Sequence, residues 1–316
     1  MTLFKRPFSA PGLVAPKLAA LALAAAFSTS SGLAQDAPPP PRDRDTIVVT
    51  GENEPVTIRQ VQRQARDVAV RTGNVYESPL ARFEGRLCPG VIGLDEEMAG
   101  MIIDRIREHA RTLDIRVRED GCDANFILAF VDDGEAMFRR MMDDSPWNFQ
   151  YLNSGQKRDI LEPGPVHVWT NIEPQTLTGM PIAQSRELMN PPTMQVAGAH
   201  TRIYTTTRMD IRSVMISFDR AAVVGLNLGQ LADYATMRGL AQTRPAGDLS
   251  IDSILTLFEL SQDNPEWAPP QRLTEFDTAY LRSLYAEIPN LPAFRKLARV
   301  GFELRDLAEG EEEVSE

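Results

Sequence analysis

Three acids fall together in "VDDGE": Asp132, Asp133 and Glu135. Close carboxylates can begin a calcium site, because that hard cation takes oxygen ligands, but the full EF-hand spacing is missing. The competing reading is helix capping by Asp132-Asp133 ahead of a helix that starts near Gly134. "MMDD" closes with a second pair, Asp143 and Asp144. Paired carboxylates can do acid–base work where a cleft holds them. Met137, Met141 and Met142 beside them read as core filler. The three histidines, His109, His167 and His200, are scattered along the chain. His109 on a helical stripe and His167 in a strand-like run read as structural residues rather than ligands. The Gly-rich phosphate loop and the Gly-x-Ser-x-Gly elbow are absent. No motif calls for a cofactor or a metal.

Cys88 and Cys122 are the only two cysteines. Their reading depends on compartment, and the N-terminus speaks to that. Residues 1–34 carry Lys5, Arg6 and Lys17 and no acid, then the apolar run "LAALALAAAF", then small residues. This is the pattern of a secretory signal peptide, with Gly32 and Ala34 satisfying the small-residue rule for cleavage before Gln35. The run is shorter than the roughly 20 residues that a spanning helix needs, so no transmembrane segment is expected in the mature chain. A periplasmic or secreted location follows. In that oxidising setting two cysteines form a disulfide, which is the expectation for Cys88 and Cys122. No nearby base would activate either thiol.

Charge narrows the partners. The net charge is −11, and loss of the three signal-peptide cations leaves a still more negative chain. Such a surface repels nucleic acid and anionic lipid. With 43% apolar and 24% charged residues the composition is that of an ordinary globular domain. The chain ends in "EGEEEVSE", read as an acidic disordered tail over 301–316.

The elements that must position these residues come from periodicity. Residues 35–55 are Pro-rich and charged, a linker. Ile58, Val61 and Ala65 recur at helical spacing, with Thr57 as cap. Asp95 caps a second helix carrying Met98, Ile102, Ile106 and His109 or Ala110 on one stripe. "ANFILAFVDD" reads as a buried strand and "GEAMFRRMMDD" as a helix. Strands are expected over 165–172, 201–207 and 213–219, and helices over 226–241, 250–260 and 273–288. The expected class is α+β: a helix–strand–helix N-terminal half, then a mixed sheet with C-terminal helices, as one domain over 56–300.

Two resemblances bear on function. "DRDTIVVTGE" (43–52) looks like the opening of the plug in TonB-dependent outer-membrane receptors. Such a barrel has about 22 strands of about 9–11 residues each, and the helix-rich mature chain leaves no room for them; the segment is read as one short β-stretch closed by Gly51. The second concerns the C-terminal half. Leu273, Thr274, Asp277, Leu281, Leu284 and Tyr285 match the metzincin pattern Leu-Thr-x-x-Asp-x-x-x-Leu-x-x-Leu-Tyr, and Ser253-Ile254-Leu255 stands where those proteases have their Met-turn. The chain also resembles a family of secreted alphaproteobacterial proteins, through Cys-Pro before a Gly-Leu helix start, a second Cys before "NFILAF" and a "PVHVW" strand, over most of residues 79–285.

That likeness implies a zincin-like fold in which His-Glu-x-x-His would bind zinc through two imidazoles on one helical face. The matching stretch here is "GQLAD": Gly229 has no ligating side chain, Gln230 is no base, and only Asp233 is a carboxylate. No His or Cys occurs from 201 to 316. The expectation is a degenerate, non-catalytic zincin-like protein with a binding or envelope-assembly role, for which another envelope protein or a peptide is a candidate partner. The alternative is a peptidase-like hydrolase with a site assembled from the scattered acids and histidines.

Overall fold

Thr57 ends a short extended stretch and turns the chain into helix, its hydroxyl accepting from Gln60 N while the Gln60 side chain returns to the Thr57 amide. The computed structural model describes residues 46–47, 56–70, 73–182, 189, 203–245, 249–259, 268–286 and 288–315. The expected signal peptide with its cleavage site after Ala34, nearly all of the linker and His200 lie outside the described residues.

In chain order the elements are β1 (Thr46–Ile47), β2 (Val56–Thr57), α1 (Ile58–Val68), β3 (Ala81–Arg82), β4 (Pro89–Ile92), α2 (Glu96–Thr112), β5 (Phe126–Val131), α3 (Gly134–Asp144), α4 (Ser154–Ile160), β6 (Val166–Thr176), β7 (Thr207–Asp219), α5 (Leu228–Leu240), α6 (Glu275–Tyr285) and α7 (Ala293–Ser315). The fold is α+β with a mixed sheet. β7 is its centre: β6 runs antiparallel along its whole length, while β3 and β5 pair with it in parallel on the other side, and β4 adds in parallel beyond β5.

Neighbouring residues of β7 show how the sheet is covered. Phe218 meets Tyr234 of α5, while Ser217 faces Gly134 at the start of α3. Successive side chains point to opposite faces, so α5 lies on one face and α3 on the other. Covered twice, β5 reads as the unbroken apolar run "FILAFV" rather than as alternation. No helix among the described residues is long and apolar enough to cross a membrane.

The disulfide forms. Cys88 and Cys122 are bonded with Cα atoms 6.2 Å apart, so the end of the 113–125 connection is tied to the start of β4. In the chain-entropy view a loop of this length contributes about 3–4 kcal/mol. β4 itself escapes sequence reading because it opens with Pro-Gly; Pro is tolerated there because β4 is an edge strand.

Four expectations change. The strand foreseen over 201–207 begins at Thr207; residues 203–206 form no strand, and 201–202 are not described. The helix foreseen over 250–260 shrinks to one 3₁₀ turn, Ile254–Thr256, because Asp277 takes the Ile254 amide and the Ser253 hydroxyl. The acidic end is helical: α7 runs to Ser315, since Leu297, Val300 and Leu304 recur at helical spacing and are buried. The foreseen boundary at 300 therefore falls inside a helix that packs on α1 and α6. Finally, the helix foreseen over 226–241 narrows to Leu228–Leu240, and it is buried on every side from Gln230 to Leu240.

That burial depends on close approach at Gly239, where a Cβ would stand 2.5 Å from the Phe126 ring. Gly100, in the second turn of α2, would meet nothing within 4 Å. Gly239→Ala should therefore lower unfolding stability by about 1–3 kcal/mol through overpacking, while Gly100→Ala should raise it by about 0.5–1 kcal/mol through helix propensity. Urea denaturation of the two variants beside the parent checks the opposite signs.

Candidate functional site

The residues in zinc-motif register serve packing of α5. Asn227 caps the helix and exchanges bonds with Gln230, whose amide also donates to the Pro270 carbonyl at 2.9 Å. Gly229 brings α5 near Arg105 of α2. Asp233, with no solvent exposure, is the hub. Its Oδ1 accepts from Arg105 Nε at 2.7 Å and His109 Nε2 at 2.6 Å; its Oδ2 accepts from Arg105 Nη2 and Leu273 N, both at 2.8 Å. The four donors use the lone-pair sites of a carboxylate, so Asp233 is spent on holding α2, α5 and the segment before α6 together. Burial pushes its carboxyl up, but the hydrogen bonds from His109 and Arg105, the His109 charge and the Leu273 amide outweigh that and hold it below the usual range.

A second buried carboxylate anchors the Ser-Ile-Leu turn. Asp277 accepts from Ser253 Oγ (2.5 Å), Ile254 N (2.7 Å), Thr274 N and Thr274 Oγ1 (both 3.0 Å). Its surroundings lack a cation among these partners, and burial pushes the acid up to about 6 against them. Tyr285, the last residue of the metzincin-type pattern, donates to the Leu240 carbonyl at 2.8 Å and accepts from Phe83 N at 3.1 Å, locking α6 to the end of α5 and to β3.

The acidic cluster does not converge. Asp133 caps α3 by accepting from Ala136 N at 2.8 Å. Asp132 pairs with Arg220 at 3.0 Å, and Glu135 pairs with Arg139 one turn on. His167 is buried, its Nδ1 on the Ile160 carbonyl at 2.9 Å, beside Phe138. Thus, among the described acids and histidines that were foreseen, His109 and Asp233 come together, at 2.6 Å. Among the described residues no three His, Cys, Asp or Glu side chains gather as metal ligands.

A cleft of about 1040 Å³ opens elsewhere on α5. β6 walls it with Val166, Val168, Trp169 and Thr170; α4 and the 162–165 turn close another side; Leu255 of the 3₁₀ turn and Phe258 just beyond it line it as well. α5 contributes Tyr234 and Arg238, and the chain beyond the helix adds Gln242 to Pro245. None of Gly229, Gln230 and Asp233 lines it. Tyr234 and Arg238 are four apart, so they share one helical face, and that face is one residue out of register with the expected motif. Sequence reasoning missed them because it took the register from the metzincin likeness, which directs attention to Gly229, Gln230 and Asp233. The available signal was the i, i+4 pair itself, followed by Gln242 and Arg244. Arg238 is 8% exposed; its Nε donates to the Thr243 carbonyl at 3.0 Å and its Nη1 to the Tyr234 hydroxyl at 2.6 Å. Four carboxylates, Asp67, Asp159, Glu162 and Glu259, also border the cleft.

Comparison of the chain with protein families, with curated proteins and with solved structures finds no match.

The Asp233 ion pair has a pH signature. Asp233→Asn should cost about 3 kcal/mol at neutral pH, since removing one partner strands the other charge in a partly buried site. A depressed carboxyl contributes stability that is complete above its unfolded value of 3.8 and is lost as pH falls through the folded value. The difference between parent and variant should therefore shrink on acidification below pH about 4. Denaturant titrations at several pH values measure it; a difference independent of pH would assign the loss to packing instead.

Proposed function

We propose that this is an exported, non-catalytic binding protein on a zincin-like plan, whose cleft between β6 and α5 receives a peptide or a segment of another envelope protein. One observation carries the reading: the helix expected to hold zinc turns Tyr234 and Arg238 toward the cleft, while the only carboxylate in the motif register, Asp233, is turned away and saturated by four donors. A guanidinium and a phenol suit recognition of a ligand rather than assembly of a three-ligand zinc site. The shape supports the same reading. β6 is an edge strand, paired with β7 alone in its sheet, and its cleft-side residues run beside Tyr234 and Arg238. An extended segment can add to such an edge through main-chain hydrogen bonds, with side chains entering the pocket. The Cys88–Cys122 bond suits the export half of the proposal.

The test is metal content with thermal stability. Protein purified from the periplasm should carry well under one zinc per chain, and a chelator should leave its melting temperature unchanged, because an ion that is not bound adds nothing to the folded state. Stoichiometric zinc, or peptidase activity that chelation abolishes and zinc restores, would overturn the proposal in favour of a hydrolase.

A further inference from the structure

The cleft floor holds a guanidinium with no carboxylate in ion-pair contact among the described residues, although Glu259 borders the same cleft and acts on the neighbouring Tyr234. Arg238 is 8% exposed, and its side-chain partners among the described residues are neutral, the Thr243 carbonyl and the Tyr234 hydroxyl. A guanidinium has five N–H donors, and the Thr243 carbonyl and the Tyr234 hydroxyl take two of them. Its cation also stands 5.5 Å over the Tyr234 ring, which lessens the burial cost without neutralising the charge. Buried charges are ordinarily paired. Tyr234 adds a donor: burial holds its phenol above the ordinary value, so it keeps its proton, and the oxygen already accepts from Arg238. Its own O–H remains to be given away. Close by in the chain, Gln242 supplies the opposite polarity. Its side-chain Oε1 is buried without a hydrogen-bond partner, and its backbone sits at φ 45°, a left-handed conformation that costs a non-glycine residue energy.

We propose that Arg238 and Tyr234 form a carboxylate-binding subsite, and that its ligand is the free C terminus of a peptide, whose last amide N–H is taken by Gln242. The inference rests on the reading of the cleft as a binding site and adds what the site recognises. A planar guanidinium matches the two oxygens of a carboxylate. The orphan Gln242 acceptor selects a ligand that also carries an N–H, which a peptide end has and a simple carboxylic acid lacks. Val168, Trp169 and Phe258 offer apolar wall for the terminal side chains. The acids at the border, Asp67, Asp159, Glu162 and Glu259, repel a multiply charged anion and favour a cationic residue upstream.

The experiment is calorimetric titration of the full mature chain with three probes: acetyl-Lys-Val-Phe with a free carboxylate, the same peptide as its C-terminal amide, and 3-phenylpropionate. The free acid should bind at least about tenfold more tightly than the amide, the usual weight of a hydrogen bond to a charged group. Tyr234→Phe keeps the ring under Arg238 and removes only the hydroxyl. It should weaken the acid several-fold and leave the amide unchanged; Arg238→Gln should erase the acid–amide difference, with melting temperature checked for both variants. Equal binding of acid and amide would overturn the carboxylate subsite while leaving the cleft as a peptide site. Binding of 3-phenylpropionate alone, lost in Arg238→Gln, would support the subsite and overturn the peptide as its occupant. No binding of any probe would overturn the inference, whatever the zinc content shows.

Discussion

The buried carboxylate of Asp233 holds the helical layer in place. It takes two donors from Arg105, one from His109 and one from the Leu273 amide, so a single side chain joins α2, α5 and the approach to α6. Taking a carboxylate out of water is expensive, and an apolar residue of similar size could fill the space. The ion pair adds direction: the four donors come from two elements, α2 and the segment before α6, and meet Asp233 only at one rotation of α5 about its axis. With that rotation set, Tyr234 and Arg238 face the cleft and Gly239 lies against Phe126.

A second buried acid shows how much the partners matter. Asp233 and Asp277 are both without solvent exposure, yet their carboxyls move in opposite directions. Around Asp233 the donors include a guanidinium and an imidazole, and they outweigh burial. Around Asp277 they are backbone amides and hydroxyls from Ser253 and Thr274, and burial wins. Asp277 thus ties the Ser253–Leu255 turn beneath α5 through neutral donors, with its carboxyl pushed up by burial, whereas Asp233 is held down by charged partners. The Leu-Thr-x-x-Asp pattern has a local explanation in this geometry: Thr274 and Asp277 form the capping box of α6, and Asp277 simultaneously clasps the turn.

Much of the helical framework could be read from the chain because its signals are local. Thr57, Asp95, Asp133 and Thr274 each cap the helix that follows them, and a cap needs only residues three apart. The buried run of β5 and the cysteine pair were equally plain. The misreadings arose where distant partners intervene. Asp277 reaches back to stop a helix after Ser253; α1 and α6 give α7 a surface to bury Leu297, Val300 and Leu304 despite the acids around them. β4 looks like a loop until β5 offers it a ladder.

The functional face of α5 divides in the same way. From the sequence alone, Gly229 and Gln230 already ruled out a His-Glu-x-x-His site in the register that the metzincin likeness implies, because those side chains cannot ligate zinc or act as a carboxylate base. Composition made a polyanionic partner unfavourable, and the cysteine pair pointed to an oxidising compartment. Which α5 residues meet the cleft was decided only in three dimensions. A helix offers every residue a direction, and the choice among them was made by Arg105 and His109 on one side, Phe126 and Phe218 on another, and the Pro270 to Leu273 backbone at its start. Those contacts join residues far apart in the chain, so no spacing within "GQLADYATMRG" encodes them; the tertiary structure turned Asp233 inward to its donors and left Arg238 and Tyr234 beside the open space under β6.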